Sequence, residues 1–122
     1  MPFFEVYDFN ATPLTREAAT RGMTDALCES YGIKPDIVSA YFVDVGRNGY
    51  GHDGAFAGKT AENRIFVKLH AFPRPPEARR AAARSITEAV AGAYGTPAKS
   101  VAIYFLDSDP GHIAHEGMLA SD

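Results

Sequence analysis

Apolar and polar positions along the chain fall into blocks of differing period. Residues 3 to 9, FFEVYDF, are rich in aromatic and β-branched side chains and are bounded by Asn10, Thr12 and Pro13, which predicts a strand. The period then lengthens. Ala19, Met23, Ala26, Leu27 and Tyr31 recur close to helical spacing, with Thr15 as the expected N-cap, Glu17 in the first turn and Gly32 as the stop. Pro35 opens DIVSAYFVDV, where Val38, Ala40 and Phe42 share one face and Tyr41 and Val43 the other, predicting a second, largely buried strand.

The same order then recurs. RIFVKLHAF at 64–72 predicts a third strand. PRPPEARRAAARSITEAVAGAYG carries a second helix, with Pro75 or Pro76 and Glu77 suited to its first turn and Gly95 to its C-cap. KSVAIYFLD at 99–107 predicts a fourth strand. The helix-ending glycines lie 63 residues apart and the prolines opening the following strands 62 apart, so a period near 62 suggests a duplicated unit. Glycine-bearing loops, GRNGYGHDG and SDPGHIAHEG, follow the second and fourth strands.

A helix between two strands most simply makes a crossover between parallel strands. Two such units side by side give an α/β (α+β) fold, one four-stranded sheet with both helices on one face. Phe4, Val6 and their counterparts are expected to form an apolar second face, which calls for oligomerisation.

Length and composition narrow the function classes. A chain of 122 residues with 46% apolar side chains makes one domain, 1–122, with pseudo-repeats at 2–59 and 64–122. A net charge of −3 with scattered Lys and Arg gives no footprint for nucleic acid. There is no apolar run of membrane length and no charged n-region ahead of an apolar stretch, so a cytoplasmic protein without a membrane partner is expected. The lone Cys28 reads as a helical packing position. No metal is expected, because His112 and His115 stand three apart in a loop without a Cys partner. No glycine-rich phosphate cradle follows a strand, which argues against a nucleotide cofactor.

Pro2 is the candidate for chemistry. Proline is tolerated at the first residue of a strand because its missing N–H need not be paired there. If Met1 is removed, however, Pro2 becomes a secondary amine, which is basic where an amide nitrogen is not. A free amine of this kind has an ordinary pKa of about 8, and burial among Phe3, Phe4 and Phe105 beside an arginine would lower it.

Pro2 leading into a strand, the two βαβ units and the loops after the second and fourth strands together resemble the tautomerase superfamily, whose founding pattern is 4-oxalocrotonate tautomerase. IKPDIVSAYFVDVGRNGYGHDGAFAGK and GTPAKSVAIYFLDSDPGHIAHEGML each resemble the second strand and following loop of that family's short subunit. The fused length and the run NRIFVKLHAFPR ahead of an arginine-rich helix look more like the cis-3-chloroacrylic acid dehalogenase and malonate semialdehyde decarboxylase groups. The resemblance covers nearly the whole chain. It implies a mixed four-stranded sheet, assembly as a homotrimer, no cofactor, and a small carboxylate substrate handled by Pro2 as base or acid. The same nitrogen could instead attack a carbonyl.

Residue by residue, the resemblance places Arg74 as the carboxylate anchor, Tyr104 as a substrate-positioning residue and Ile113 as a pocket wall. Where the dehalogenase-type members carry a water-activating glutamate this chain has His115, followed by Glu116, so either could take the acid/base part. Phe72 and then Arg74 stand where those members have two closely spaced arginines, a departure that weakens hydrolytic dehalogenation, and Phe72 is kept as a candidate substrate contact. Leu27 or Cys28 stands where they have a helical histidine. The early second-strand arginine of the short subunits is Ala40 in one half and Ala102 in the other. His70 reads as structural, Arg79, Arg80 and Arg84 as surface residues, and Arg47 and His52 as belonging to the first-half loop. The implied activity is keto–enol tautomerisation of a 2-oxo acid. Decarboxylation of a 3-oxo acid, hydration or dehalogenation of an unsaturated acid, and a non-catalytic trimeric scaffold are the alternatives.

Overall fold

A computed structural model describes residues 1–59 and 62–122. Strand β1 (Phe3–Asp8) leads to helix α1 (Pro13–Tyr31) and strand β2 (Ser39–Asp44), followed by a short hairpin of β3 (Gly51–His52) and β4 (Ala55–Phe56). The order repeats in β5 (Ile65–Ala71), α2 (Pro76–Tyr94) and β6 (Val101–Asp107), with a second hairpin of β7 (Ala114–His115) and β8 (Met118–Leu119). The large sheet is mixed, in the order β2-β1-β5-β6: β1 runs parallel to β2 and antiparallel to β5, which runs parallel to β6.

The two halves superpose in sequence at a shift of 63. That shift carries Pro13–Tyr31 onto Pro76–Tyr94 and the left-handed C-cap Gly32 (φ 65°) onto Gly95 (φ 62°). It also carries the bond from the Val45 N–H to the Asp8 carbonyl onto that from the Ser108 N–H to the Ala71 carbonyl, both 2.8 Å. The hairpin turns match as well, Asp53-Gly54 against Glu116-Gly117, each with two positive φ values. That geometry is the type I′ turn, whose twist suits a two-residue hairpin.

The core lies between the sheet and the helices. Phe4, Val6, Val67 and Leu69 meet Met23, Leu27, Ile86 and Val90, every one of them at most 1% exposed. The helices approach closely where Gly22 faces Ala89: a Cβ at position 22 would stand 2.9 Å from the Ala89 Cβ. Cys28 is partly buried, and burial pushes its thiol pKa up, away from thiolate chemistry.

Three expectations are corrected. The N-cap of α1 is Thr12, whose hydroxyl accepts the Thr15 N–H at 3.2 Å. A proline at the first helical position needs no such acceptor, which lets the helix begin at Pro13. Strand β2 is an edge strand with Tyr41 and Val43 exposed, not a largely buried one. Phe4 and Val6 face the helices, so the open face of the sheet belongs to the odd positions of β1. Phe3, Glu5 and Tyr7 lie there opposite His70, Lys68 and Phe66. This face is aromatic and charged together: Lys68 Nζ lies 5.1 Å from the Tyr7 ring centroid, and Phe66 meets Tyr104 edge-on at 5.0 Å.

One charge is fully inside. The Asp8 carboxylate, 0% exposed, accepts Nε and Nη2 of Arg16 at 3.0 and 2.7 Å and the Tyr94 hydroxyl at 2.7 Å, joining β1 to both helices. Burial first, and then the Asp8 carboxylate, push the Tyr94 phenol above its ordinary pKa of 10.0. Arg16→Met leaves a buried carboxylate short of its cation and should lower stability by about 3 kcal/mol in urea unfolding at fixed protein concentration. Tyr94 stays protonated when folded, while in the unfolded chain it ionises near pH 10.0, so stability should fall as pH rises past that point. Tyr94→Phe should flatten this alkaline loss.

Candidate active site

The parity of β1 and the last loop together shape a cavity of about 660 Å³ at the N-terminal end of β1. Met1, Pro2 and Phe3 form one side, and Ser39, Tyr41 and Val43 of β2 a second. Ala71 and Phe72 at the end of β5 face Ile113, Ala114 and His115 of the last loop. Pro2 is buried, and its carbonyl accepts the Ser39 N–H at 3.4 Å, so the residue is held at the start of the central strand.

Among the polar side chains that line this largely apolar space, Glu5 and His70 are paired on the open sheet face. Glu5 Oε1 meets His70 Nε2 at 2.5 Å, and Glu5 Oε2 accepts the Tyr7 hydroxyl at 2.9 Å. The hydrogen bonds from Tyr7 and then His70 hold the Glu5 carboxyl below its ordinary pKa of 4.5, outweighing partial burial, which acts the other way. The Phe3 ring stacks on the imidazole, with centroids 4.2 Å apart and planes within 4°.

The cavity gathers Pro2, Phe72, Ile113 and His115 of the expected residues, and not Arg74, Tyr104 or Glu116. The chain turns toward the helices after β5, and the Arg74 guanidinium goes with it. It donates to the Phe72 and Pro73 carbonyls at 3.1 and 3.3 Å and lies 4.8 Å from the Tyr31 ring centroid. Tyr104 stands on β6, beyond β5 from β1, and is 60% exposed. Its counterpart at a shift of 63, Tyr41, is the tyrosine of the cavity. Glu116 is a central residue of the β7–β8 turn, at φ 53°, and its carboxylate is 3.9 Å from His115 Nδ1 with both side chains largely exposed. Phe4 and Phe105, expected beside Pro2, belong to the helix-facing layer instead.

Glu5, His70 and Tyr41 are the site residues that sequence reasoning missed. The signal was available: in FFEVYDF and RIFVKLHAF a charged or titratable residue recurs at alternate positions, and alternate positions share a face. Among the described residues no three His, Cys, Asp or Glu side chains converge to hold a metal ion, and no helix is long and apolar enough to cross a membrane.

No family profile and no curated protein matches the chain. Solved structures do. A fused 4-OT wild-type symmetric trimer matches at 19% identity and TM-score 0.86, over 98% of this chain and 96% of that one. Pt0534 inactivated by 2-oxo-3-pentynoate matches at 16% identity and TM-score 0.87 over the same shares. A member of the cis-3-chloroacrylic acid dehalogenase family matches at 16% identity and TM-score 0.83, over 96% of this chain and 82% of that one. The chain therefore has the fold of the tautomerase superfamily in its fused, two-unit form.

Glu5 also supplies a stability test. Because its carboxyl is held low when folded, its contribution is present above pH 4.5 and is lost as pH falls below that value. In urea unfolding followed from about pH 6 down to about pH 3, Glu5→Gln should show a shallower loss of stability with acid than the parent protein.

Proposed function

We propose that this protein is a cofactor-independent enzyme of the tautomerase superfamily, in which Pro2, freed by removal of Met1, moves a proton on a small 2-oxo acid or its enol. The observation that carries this reading is the burial of Pro2 at the wall of an apolar cavity. An amine placed there is desolvated, which disfavours the ammonium form and leaves a neutral base near pH 7. Met1 also lines the cavity, so its removal would both unmask the nitrogen and make room for substrate.

In the forward direction the Pro2 nitrogen takes a proton from the carbon next to the keto group. The C–H electron pair becomes the C=C bond, and the oxygen ends as the enol. Phe72 and Ile113 pack the substrate's apolar part, and His115 stands at the mouth. Glu116 does not line the cavity and its side chain is exposed, so it is poorly placed to activate water there, and tautomerisation is favoured over hydration or dehalogenation.

The assembly belongs to the same proposal: a homotrimer that covers the open sheet face. Tyr41 and Tyr104, each 60% exposed on that face, support it, as does the description of a fused 4-OT as a symmetric trimer. Light scattering should give three times the 13.1 kDa subunit mass.

The chemical test begins with intact mass, which should lack Met1. Phenylpyruvate enol–keto conversion should then fall by about a hundredfold or more in Pro2→Ala, the scale of a lost general base. 2-Oxo-3-pentynoate should add its whole mass to Pro2, as the amine bonds to the alkyne carbon distal to the ketone and the proximal carbon takes a proton. Retained Met1, or activity indifferent to Pro2→Ala, would leave the non-catalytic scaffold as the better account.

A further inference from the structure

The cavity contains a second acid/base device that the proline mechanism leaves unused. His70 and Glu5 both line it, on strands that neighbour each other in the sheet, and Phe3, the residue after Pro2, is the register partner of His70. Glu5 Oε1 contacts Nε2 of the imidazole, and Tyr7 holds the other carboxylate oxygen. The Phe3 ring covers one face of the imidazole. Nε2 is thus committed to a carboxylate, the ring plane is fixed by stacking, and Nδ1 makes no hydrogen bond among the described residues. A carboxylate that orients an imidazole by one nitrogen and leaves the other for substrate is a recurring acid/base arrangement.

We infer that His70 is a second catalytic residue, the acid on the oxygen side of the reaction, and that Glu5 is its positioning residue. This rests on the proline reading and deepens it. Among the described residues no arginine lines the cavity; its cation-forming side chains are His70 and His115, and of the two His70 is the one held by a carboxylate on the β1–β5 sheet, placed to stabilise charge developing on the substrate's keto oxygen. As Pro2 takes the carbon-bound proton, the imidazolium passes its Nδ1 proton to the oxygen. The enol leaves behind a Pro2 ammonium and a neutral His70, and solvent returns the proton from one to the other.

The charged and titratable groups around His70 on the open face are Glu5 and Tyr7 on β1, Lys68 on its own strand, Tyr41 on β2, Tyr104 on β6, His115 in the last loop and the terminal amine. His115 is the one that could imitate it in a pH profile, so His115→Gln is included as a control.

The test uses the trimeric, Met1-free protein and 2-oxo-3-pentynoate, because addition of Pro2 to this probe drives an electron pair onto its keto oxygen whatever the physiological substrate is. The labelling rate is followed by intact mass from about pH 5 to pH 9, the range across which histidine and a desolvated amine change charge. In the parent protein the rate should show a limb that falls with rising pH as the imidazolium is lost. His70→Gln should slow labelling at least about tenfold and abolish that limb. Glu5→Gln should retain labelling but displace the limb, and His115→Gln should leave it in place. Circular dichroism and the trimer mass should be unchanged in all three.

Wild-type rate and limb in folded His70→Gln, with Pro2→Ala unlabelled, would overturn the role of His70 and leave the proline reading standing. Loss of the limb in His115→Gln would transfer the role to His115 and equally overturn the inference. Absence of any Pro2 adduct on the Met1-free parent protein would remove the proline reading and this inference with it. Should His70→Gln fail to assemble, the displaced limb in Glu5→Gln decides alone: an unmoved limb overturns the assignment.

Discussion

The structure depends on the placement of β1 as a strand paired on both sides. With β2 hydrogen-bonded along one edge and β5 along the other, β1 cannot be shifted by one residue without turning Phe4 and Val6 out of the core and Glu5 into it. That parity fixes everything near the candidate site. Asp8 arrives between the helices, where Arg16 and Tyr94 meet it; Glu5 arrives on the open face within reach of His70; and Pro2 stays buried at the strand's entry. A residue without an N–H suits that entry, because no ladder bond is demanded of it there.

The duplication explains both the regularity of the frame and the asymmetry of the site. At a shift of 63, the cavity walls Phe72, Ile113 and Ala120 correspond to Phe9, Tyr50 and Ala57, which line a smaller cavity of about 350 Å³ in the first-half loop. Pro2 itself corresponds to Ile65, 6% exposed and joined to Arg64 by an ordinary peptide bond. An amide nitrogen inside the chain has no basicity to use. The Tyr50 hydroxyl also accepts the Arg64 N–H there at 3.1 Å, occupying the place with structure. Two copies of one frame therefore offer two pockets but only one candidate base.

Much of the fold was legible because the signals were local. Gly32 and Gly95 end their helices in the left-handed conformation, as the sequence pattern requires, and the apolar periodicity located both helices and all four long strands. What misled was parity and edge. Thr15 looked like the cap because it precedes Glu17, whereas Pro13 already opens the helix behind Thr12. DIVSAYFVDV looked buried on both faces because nothing in its composition says that it lies at a sheet edge. The site divides in the same way. Pro2, Phe72, Ile113 and His115 converge because element order alone brings those chain segments together. Arg74 does not, since its direction is set by the turn into α2 and by the Tyr31 ring, contacts that linear spacing does not encode. Glu5 and His70 are 65 residues apart, and only the antiparallel register of β1 with β5 makes them neighbours.

The open face sets a condition on how this sheet can be covered. An apolar partner surface alone would strand Glu5 and Lys68 without solvent, at a cost that such charges rarely repay. Here they are already accommodated within the protomer. Glu5 holds contacts from Tyr7 and His70, and Lys68 lies over the rings of Tyr7 and Phe66, 5.1 and 5.6 Å from their centroids. Tyr41 and Tyr104 add large surfaces that pair hydrophobic area with a polar tip, a combination favoured where protein surfaces meet. A face whose charges are internally matched and whose aromatics project outward can be buried against copies of itself without importing a counter-ion. Covering it would also withdraw Glu5 and His70 from bulk water, and hydrogen bonds to charged groups strengthen as the local dielectric falls. If copies of the chain cover this face, assembly and site chemistry would draw on the same few side chains, and the covered face would also be the wall that makes the cavity polar where a keto oxygen needs it.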